Sequence, residues 1–248
     1  MRTPDRVTSI RPLVRYVDQE RAIVHACFAV TRASDDEAAF IATVQGAEGF
    51  YDEARTALPP GASHGEVRFE IVHPERWWPA GMGEQPLYEL TVQPRASEAP
   101  EHAQSTVFGL TSVRAPRRFD TTDAPTLLIN GEEFVAESVV TVDRVDENQL
   151  LPATGGSLLL VTDHYGPDTL YEAADRAGIL LLQCVPLHPQ AEPERDVPRQ
   201  IDRLAGHPSL AGYFVGHLGR LSDNLAHRLR NLDPTRTVFQ RFPGTPAA

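Results

Sequence analysis

The chain has 248 residues, 34 of them acidic and 23 basic, for a net charge of −11, and every basic residue is arginine because no lysine occurs. An acidic chain without lysine speaks against nucleic acid as a partner and leaves no residue for Schiff-base chemistry or a Walker-type phosphate site. No apolar run approaches the ~20 residues of a membrane helix, and the amino-terminal MRTPDRVTSIRP has no secretory pattern, so a cytoplasmic protein that does not engage the membrane is expected.

From Val7 to about Arg114 the sequence is a succession of short alternating runs. Val24, Ala26, Phe28 and Val30 share one strand face, as do Val67, Phe69 and Ile71, and again Tyr88, Leu90 and Val92. Further strands are expected over 8–17, 38–44 and 106–114. That gives about six or seven strands with no helix between them, the density of an immunoglobulin-like β-sandwich. The polar run 97–104 reads as a hairpin loop inside this domain.

After Pro116 apolar runs of strand length alternate with helical patterns, the rhythm of a parallel sheet. Asn130-Gly131 between 126–129 and 133–135 predicts a type I′ hairpin. Strands are expected over 138–142, 157–162, 179–185, 210–215 and 237–239. One helix opens at Pro167, carries Leu170, Tyr171, Ala174 and Ala177 as its apolar stripe, and stops at Gly178. A second spans 198–205, a third is capped by Ser222, and the tail 243–248 reads as frayed. Cys27 and Cys184 fall in separate apolar runs and read as buried thiols without a disulfide.

Three segments carry a family resemblance. PERWWPAGMGEQPLYELTV, residues 74–92, is similar to the tryptophan-proline and Q-x-L-Y-x-L-x-V strand pair of the immunoglobulin-like domain of family 2 glycoside hydrolases. DHYGPDTLYEAADRAGILL, residues 163–181, resembles the segment after barrel strand two that leads to a helix ending D-x-x-G, and HPSLAGYFVGH, residues 207–217, resembles the His-Pro-Ser turn into strand four. The resemblance is to the β-mannosidase and β-glucuronidase side of the family and runs from about Val7 to Phe239. It implies a β-sandwich over 7–115 followed by a partial, incomplete TIM barrel over 116–242.

The departures from that pattern bear on chemistry. In the family, strand four leads into Gly-Asn-Glu, whose glutamate is the general acid/base; here Gly216 is followed by His217 and Leu218. The arginine expected before the strand-two histidine falls at Val161, and the acidic residue near the end of strand three falls at Gln183. The nucleophile of the family comes from strand seven, and the amino-terminal jelly roll precedes the sandwich; neither is expected within this chain. Glu137, Asp143 and Asp163 lie near strand ends and are the weak candidates for a rebuilt catalytic pair.

In a parallel barrel, functional groups gather at the carboxyl ends of the strands. His164, His188 and His217 follow three such ends, and with Asp163 and Gln183 they form the candidate ligand-binding set, or with Asp143 a weaker candidate metal set. No short metal motif and no cofactor motif occurs. Trp77 and Trp78 are adjacent, so one indole is expected in the sandwich core and the other against the neighbouring domain. The function expected is a non-catalytic relative of the β-glycosidases, a binding or assembly module with a carbohydrate ligand, its open barrel covered by a second copy or a partner subunit. The alternative is an active glycoside hydrolase that uses relocated carboxylates or a partner chain.

Overall fold

The computed structural model describes residues 5–97, 99–115, 125–142, 156–162, 164–185, 193–216 and 219–240. Two compact units divide the chain, Met1–Glu75 with Pro86–Gly109, and Arg76–Gln85 with Leu110–Ala248.

The first unit is a sandwich of seven antiparallel strands: β1 (Arg6–Val17), β2 (Arg21–Thr31), β3 (Ala38–Gln45), β4 (Tyr51–Leu58), β5 (His64–Val72), β6 (Tyr88–Pro94) and β7 (Gln104–Phe108). They form two sheets, ordered β1-β2-β5 and β4-β3-β6-β7. The predicted alternation holds, since Val24, Ala26, Phe28, Val30, Val67, Phe69, Ile71, Leu90 and Val92 are all buried. Each of the valine, isoleucine, leucine and phenylalanine side chains among them stabilises the fold by roughly 1.5–3 kcal/mol relative to exposure. Phe28 from one sheet meets Phe40 from the other with ring centroids 5.4 Å apart.

Two departures from the sequence reading have local causes. Strand β4 was not expected; it lies at a sheet edge and buries only Leu58, so its sequence YDEARTAL shows no apolar alternation. The strand expected over 106–114 stops at Phe108, and Val113–Arg114 form a separate strand, β8, in the second unit.

The second unit begins with a small antiparallel sheet of β8, β9 (Thr126–Ile129) and β10 (Glu132–Val135). Asn130 and Gly131 take φ values of 51° and 94°, the left-handed conformation a type I′ turn needs. A five-stranded parallel sheet follows, built from β11 (Ser138–Val142), β12 (Ser157–Val161), β13 (Leu180–Cys184), β14 (Leu210–Phe214) and β15 (Thr237–Phe239) in sequential order. Helices α1 (Asp168–Ala177), α2 (Pro193–Leu204) and α3 (Arg220–Leu232) fill the connections from β12 onward.

One hydrophobic cluster joins Leu159, Val161, Leu181 and Tyr213 of the sheet to Leu170, Ala174, Val197, Ile201, Ala226 and Leu229 of the helices. At the alternate sheet positions, Leu158, Leu180 and Leu182 are also buried. Both faces of these strands are covered, which explains why they read as apolar throughout.

The helix ends correct the sequence reading in two places. Gly178 does stop α1, at φ 69°, but α2 starts at Pro193, five residues before Pro198. Proline inside a helix lacks a donor; burial of Val197, Ile201 and Leu204 along one stripe outweighs that loss. Ser222 lies inside α3, whose N-cap is Gly219. Neither cysteine is in a disulfide, as expected, and both are half-buried, where buried thiols were expected. No helix among the described residues is long and apolar enough to cross a membrane.

Candidate functional site

The carboxyl ends of the parallel strands are where α/β sheets of this kind place ligands. At the end of β12 the chain turns through Thr162 and His164, and the His164 ring Nδ1 lies 2.7 Å from the Thr162 carbonyl. Donation from Nδ1 to that carbonyl leaves Nε2 as the ring atom available to a ligand.

Gln183, fully buried at the end of β13, secures this loop. Its Nε2 donates to the carbonyls of His164, at 2.8 Å, and Cys184. Its Oε1 accepts from the Gly166 N–H at 3.3 Å and from the Tyr171 hydroxyl. The amide has two donors and two acceptor sites, and all four are engaged within the fold. Burial pushes the Tyr171 phenol well above its usual range, so it remains a neutral donor. Arg203 of α2 holds the same loop from outside, donating to the Gly166 carbonyl at 2.8 Å and pairing with Asp168. Gln183 therefore orients the loop that presents His164 and has no capacity left for a ligand. Val161, where a family arginine was expected, is buried in the helix–sheet cluster, an apolar setting for any side chain.

Of the remaining predicted residues, Asp143, Asp163, His188, His217 and Leu218 lie outside the described residues. Glu137 is exposed and sits at the amino end of β11, its N–H donating to the Gly156 carbonyl at 2.8 Å. A strand rises ~3.3 Å per residue, so the five residues of β11 put Glu137 ~16 Å from the carboxyl end of its own strand. That exceeds the ~5–9.5 Å separation of a glycosidase carboxylate pair. Among the described residues, Glu137 is not brought together with any carboxylate at the carboxyl ends.

The opposite, amino end of the sheet holds a buried polar network that sequence reasoning did not find. Asp175, at the end of α1, accepts from the Ser209 N–H at 3.0 Å, and its other oxygen lies 2.7 Å from His207 Nδ1. Its backbone carbonyl accepts from the Trp77 indole at 2.8 Å. Arg236 donates to the carbonyls of His207, at 3.0 Å, and Thr111, at 2.7 Å, and to the Thr235 hydroxyl. Thr235 in turn donates to Asp233, which also accepts from the Tyr213 hydroxyl at 3.1 Å.

The network unites all three segments that carried the family resemblance: Trp77 of the tryptophan-proline pair, Asp175 of D-x-x-G, and His207 and Ser209 of His-Pro-Ser. The motifs were visible in sequence; their mutual contact was not. Trp77 is fully buried within the second unit, and Trp78, half-buried with the Arg76 guanidinium 5.1 Å from its ring, belongs to the same segment. Neither indole belongs to the sandwich core, because the whole segment Arg76–Gln85 packs with the second unit.

Residues 14–110 match the family model described as glycosyl hydrolases family 2. An exo-β-D-glucosaminidase of Streptomyces avermitilis is 31% identical over 60% of this chain, and β-mannosidase B of Aspergillus terreus is 24% identical over 92% of it. The chain spans only 18% and 30% of the length of these two relatives. Among solved structures, the exo-chitosanase of Amycolatopsis orientalis superposes with a TM-score of 0.66 at 18% identity, covering 95% of this chain and 31% of that one. The β-D-mannosidase of Dictyoglomus thermophilum does so with a TM-score of 0.69 at 19% identity, covering 95% and 34%. At that identity the superpositions establish the shared fold. The family-model match over residues 14–110, together with the motif-bearing segments, makes this chain similar to the family 2 glycosyl hydrolases.

Proposed function

We propose that this chain is a non-catalytic relative of the family 2 β-glycosidases, a binding or assembly module that takes a carbohydrate at the carboxyl ends of its parallel strands. The observation that carries this reading is the exit of β14, where Gly216 is followed by His217 and Leu218 in place of the family's Asn-Glu. A leucine exchanges no proton, and glycoside hydrolysis needs two facing carboxylates. The motifs this chain retains support the same reading, because Trp77, Asp175, His207 and Ser209 hold the scaffold together at the amino end of the sheet.

The sequential order of β11 to β15, with helices in the later connections, fits the first part of a TIM barrel. On this reading Asp163, His164, His188 and His217, which follow the strand ends in sequence, are the candidate ligand residues, and Gln183 positions His164. Among the described residues β11 and β15 are the outer strands of this sheet, and on this reading a second copy or a partner subunit covers their outer edges.

The test is hydrolysis of a panel of aryl β-glycosides, including mannoside, glucosaminide and glucuronide, by the purified chain. No turnover above buffer is expected. The second reading, an active glycosidase with carboxylates relocated or supplied by a partner chain, is favoured by the 31% identity to the exo-β-D-glucosaminidase. Turnover that Asp163→Asn or Asp143→Asn abolishes establishes that second reading and refutes the first.

A further inference from the structure

A cleft of about 280 Å³ opens at one end of the sandwich, between the β3–β4 turn, which supplies Phe50, the end of β5, which supplies Ile71 and His73, and the pair Glu75 and Tyr88. Its volume suits one small ring or an alkyl chain with a polar head, below the ~300–1,000 Å³ of drug-sized sites. Among the described residues, Oε2 of Glu75 is buried without a hydrogen-bond partner. Buried carboxylate oxygens in folded proteins are satisfied by a donor, so this one calls for a donor from outside.

The surroundings narrow what that donor is. The Tyr88 hydroxyl accepts from the Glu75 N–H at 2.9 Å, fixing the backbone that carries the carboxylate. The Phe50 ring meets the Tyr88 ring edge to face at 5.9 Å, which gives the cleft aromatic walls. Aromatic faces beside a carboxylate attract cations. His73 is held at φ 49° by its N–H bond to the Glu20 carbonyl, 2.7 Å. Non-glycine residues seldom occupy that region, and such strain gathers at ligand clamps. The chain contains no lysine, so none of its own side chains supplies an ammonium group.

We propose that this cleft binds a primary ammonium group, carried either by a small amino sugar or by an exposed lysine of another protein, with Glu75 as the charged acceptor and Phe50 and Tyr88 as the walls. The site lies wholly within the first unit, and it does not depend on the reading given above for the parallel strands.

The experiment is a titration of the ¹⁵N-labelled 248-residue chain, followed by amide shifts in NMR, with D-glucosamine, with an Nα-acetyl-lysine methylamide, and with D-glucose as the uncharged control. Saturable shifts at Phe50, Glu75 and Tyr88 are expected with at least one of the two amines. Glu75→Gln should weaken binding about tenfold or more, the effect of one charge-assisted hydrogen bond. The amine that saturates at the lower concentration identifies the source. An equal response to glucose, the absence of saturation by both amines, or unchanged binding by folded Glu75→Gln overturns the proposal. Should that variant not fold, the comparison of amine with glucose on the unaltered chain decides the matter.

Discussion

Replacing Asp175 with alanine tests the view that the retained motifs serve the scaffold. Asp175 is 3% exposed, and its carboxylate accepts from the Ser209 N–H and meets the His207 ring. Truncation leaves the fully buried Ser209 N–H unsatisfied, at a cost of ~1–3 kcal/mol, and removes a charge-assisted contact worth ~1.5–3 kcal/mol. The sum is about 2.5–6 kcal/mol, centred near 4. At a urea m-value of ~2 kcal/mol/M, the unfolding midpoint should fall by ~2 M. Both tryptophans lie in Arg76–Gln85, so indole fluorescence reports on the second unit, while circular dichroism also follows the sandwich. The fluorescence midpoint should move. A shift equivalent to less than ~1 kcal/mol would mean that the network adds little beyond its solvated counterparts, and the scaffold argument would fail.

Gly178→Ala should destabilise the second unit by at least ~1–3 kcal/mol in the same denaturation assay. The position has φ 69°, and a Cβ there would meet the Ala80 nitrogen at 2.5 Å. Gln183→Glu places a carboxylate against the His164 and Cys184 carbonyls, which need donors. That glutamate fits only when protonated, so its folded pKa rises above the ordinary ~4.3, and the variant should lose stability as pH rises from about 4 to 7, while the unaltered chain does not show that loss. At Cys27, burial and the neighbouring Glu66 raise the thiol to about 11 from 9.0. At pH 8 the thiolate fraction is then ~100-fold below that of an unshifted thiol. Alkylation of the Cys27 peptide, followed by mass spectrometry, should stay slow at pH 8 and accelerate about tenfold per pH unit toward 11; a flat profile contradicts the environment described.

Much of the local architecture was legible in the sequence. The period-two faces of β2, β5 and β6, the Asn130-Gly131 turn and the Gly178 stop are set by side-chain alternation and backbone conformation, both of which act within a few residues. The elements that escaped were those whose local signal conflicts with their setting. Strand β4 is polar because it is an edge, and α2 runs through Pro198 because burial of its apolar stripe exceeds the loss of one donor.

The candidate site divided in the same way. The identities of His164, Gln183, His217 and Leu218 were plain from the sequence, and so was the absence of the Asn-Glu pair after Gly216. Only the tertiary structure gave Gln183 its role as a fully engaged latch, removed Glu137 to the far end of its strand, and bonded Asp175 to His207 across 32 positions of chain. Periodicity reports which face of an element is buried. Which buried groups then meet depends on the order and register in which β11 to β15 assemble, and that order is fixed by packing between segments far apart in the chain.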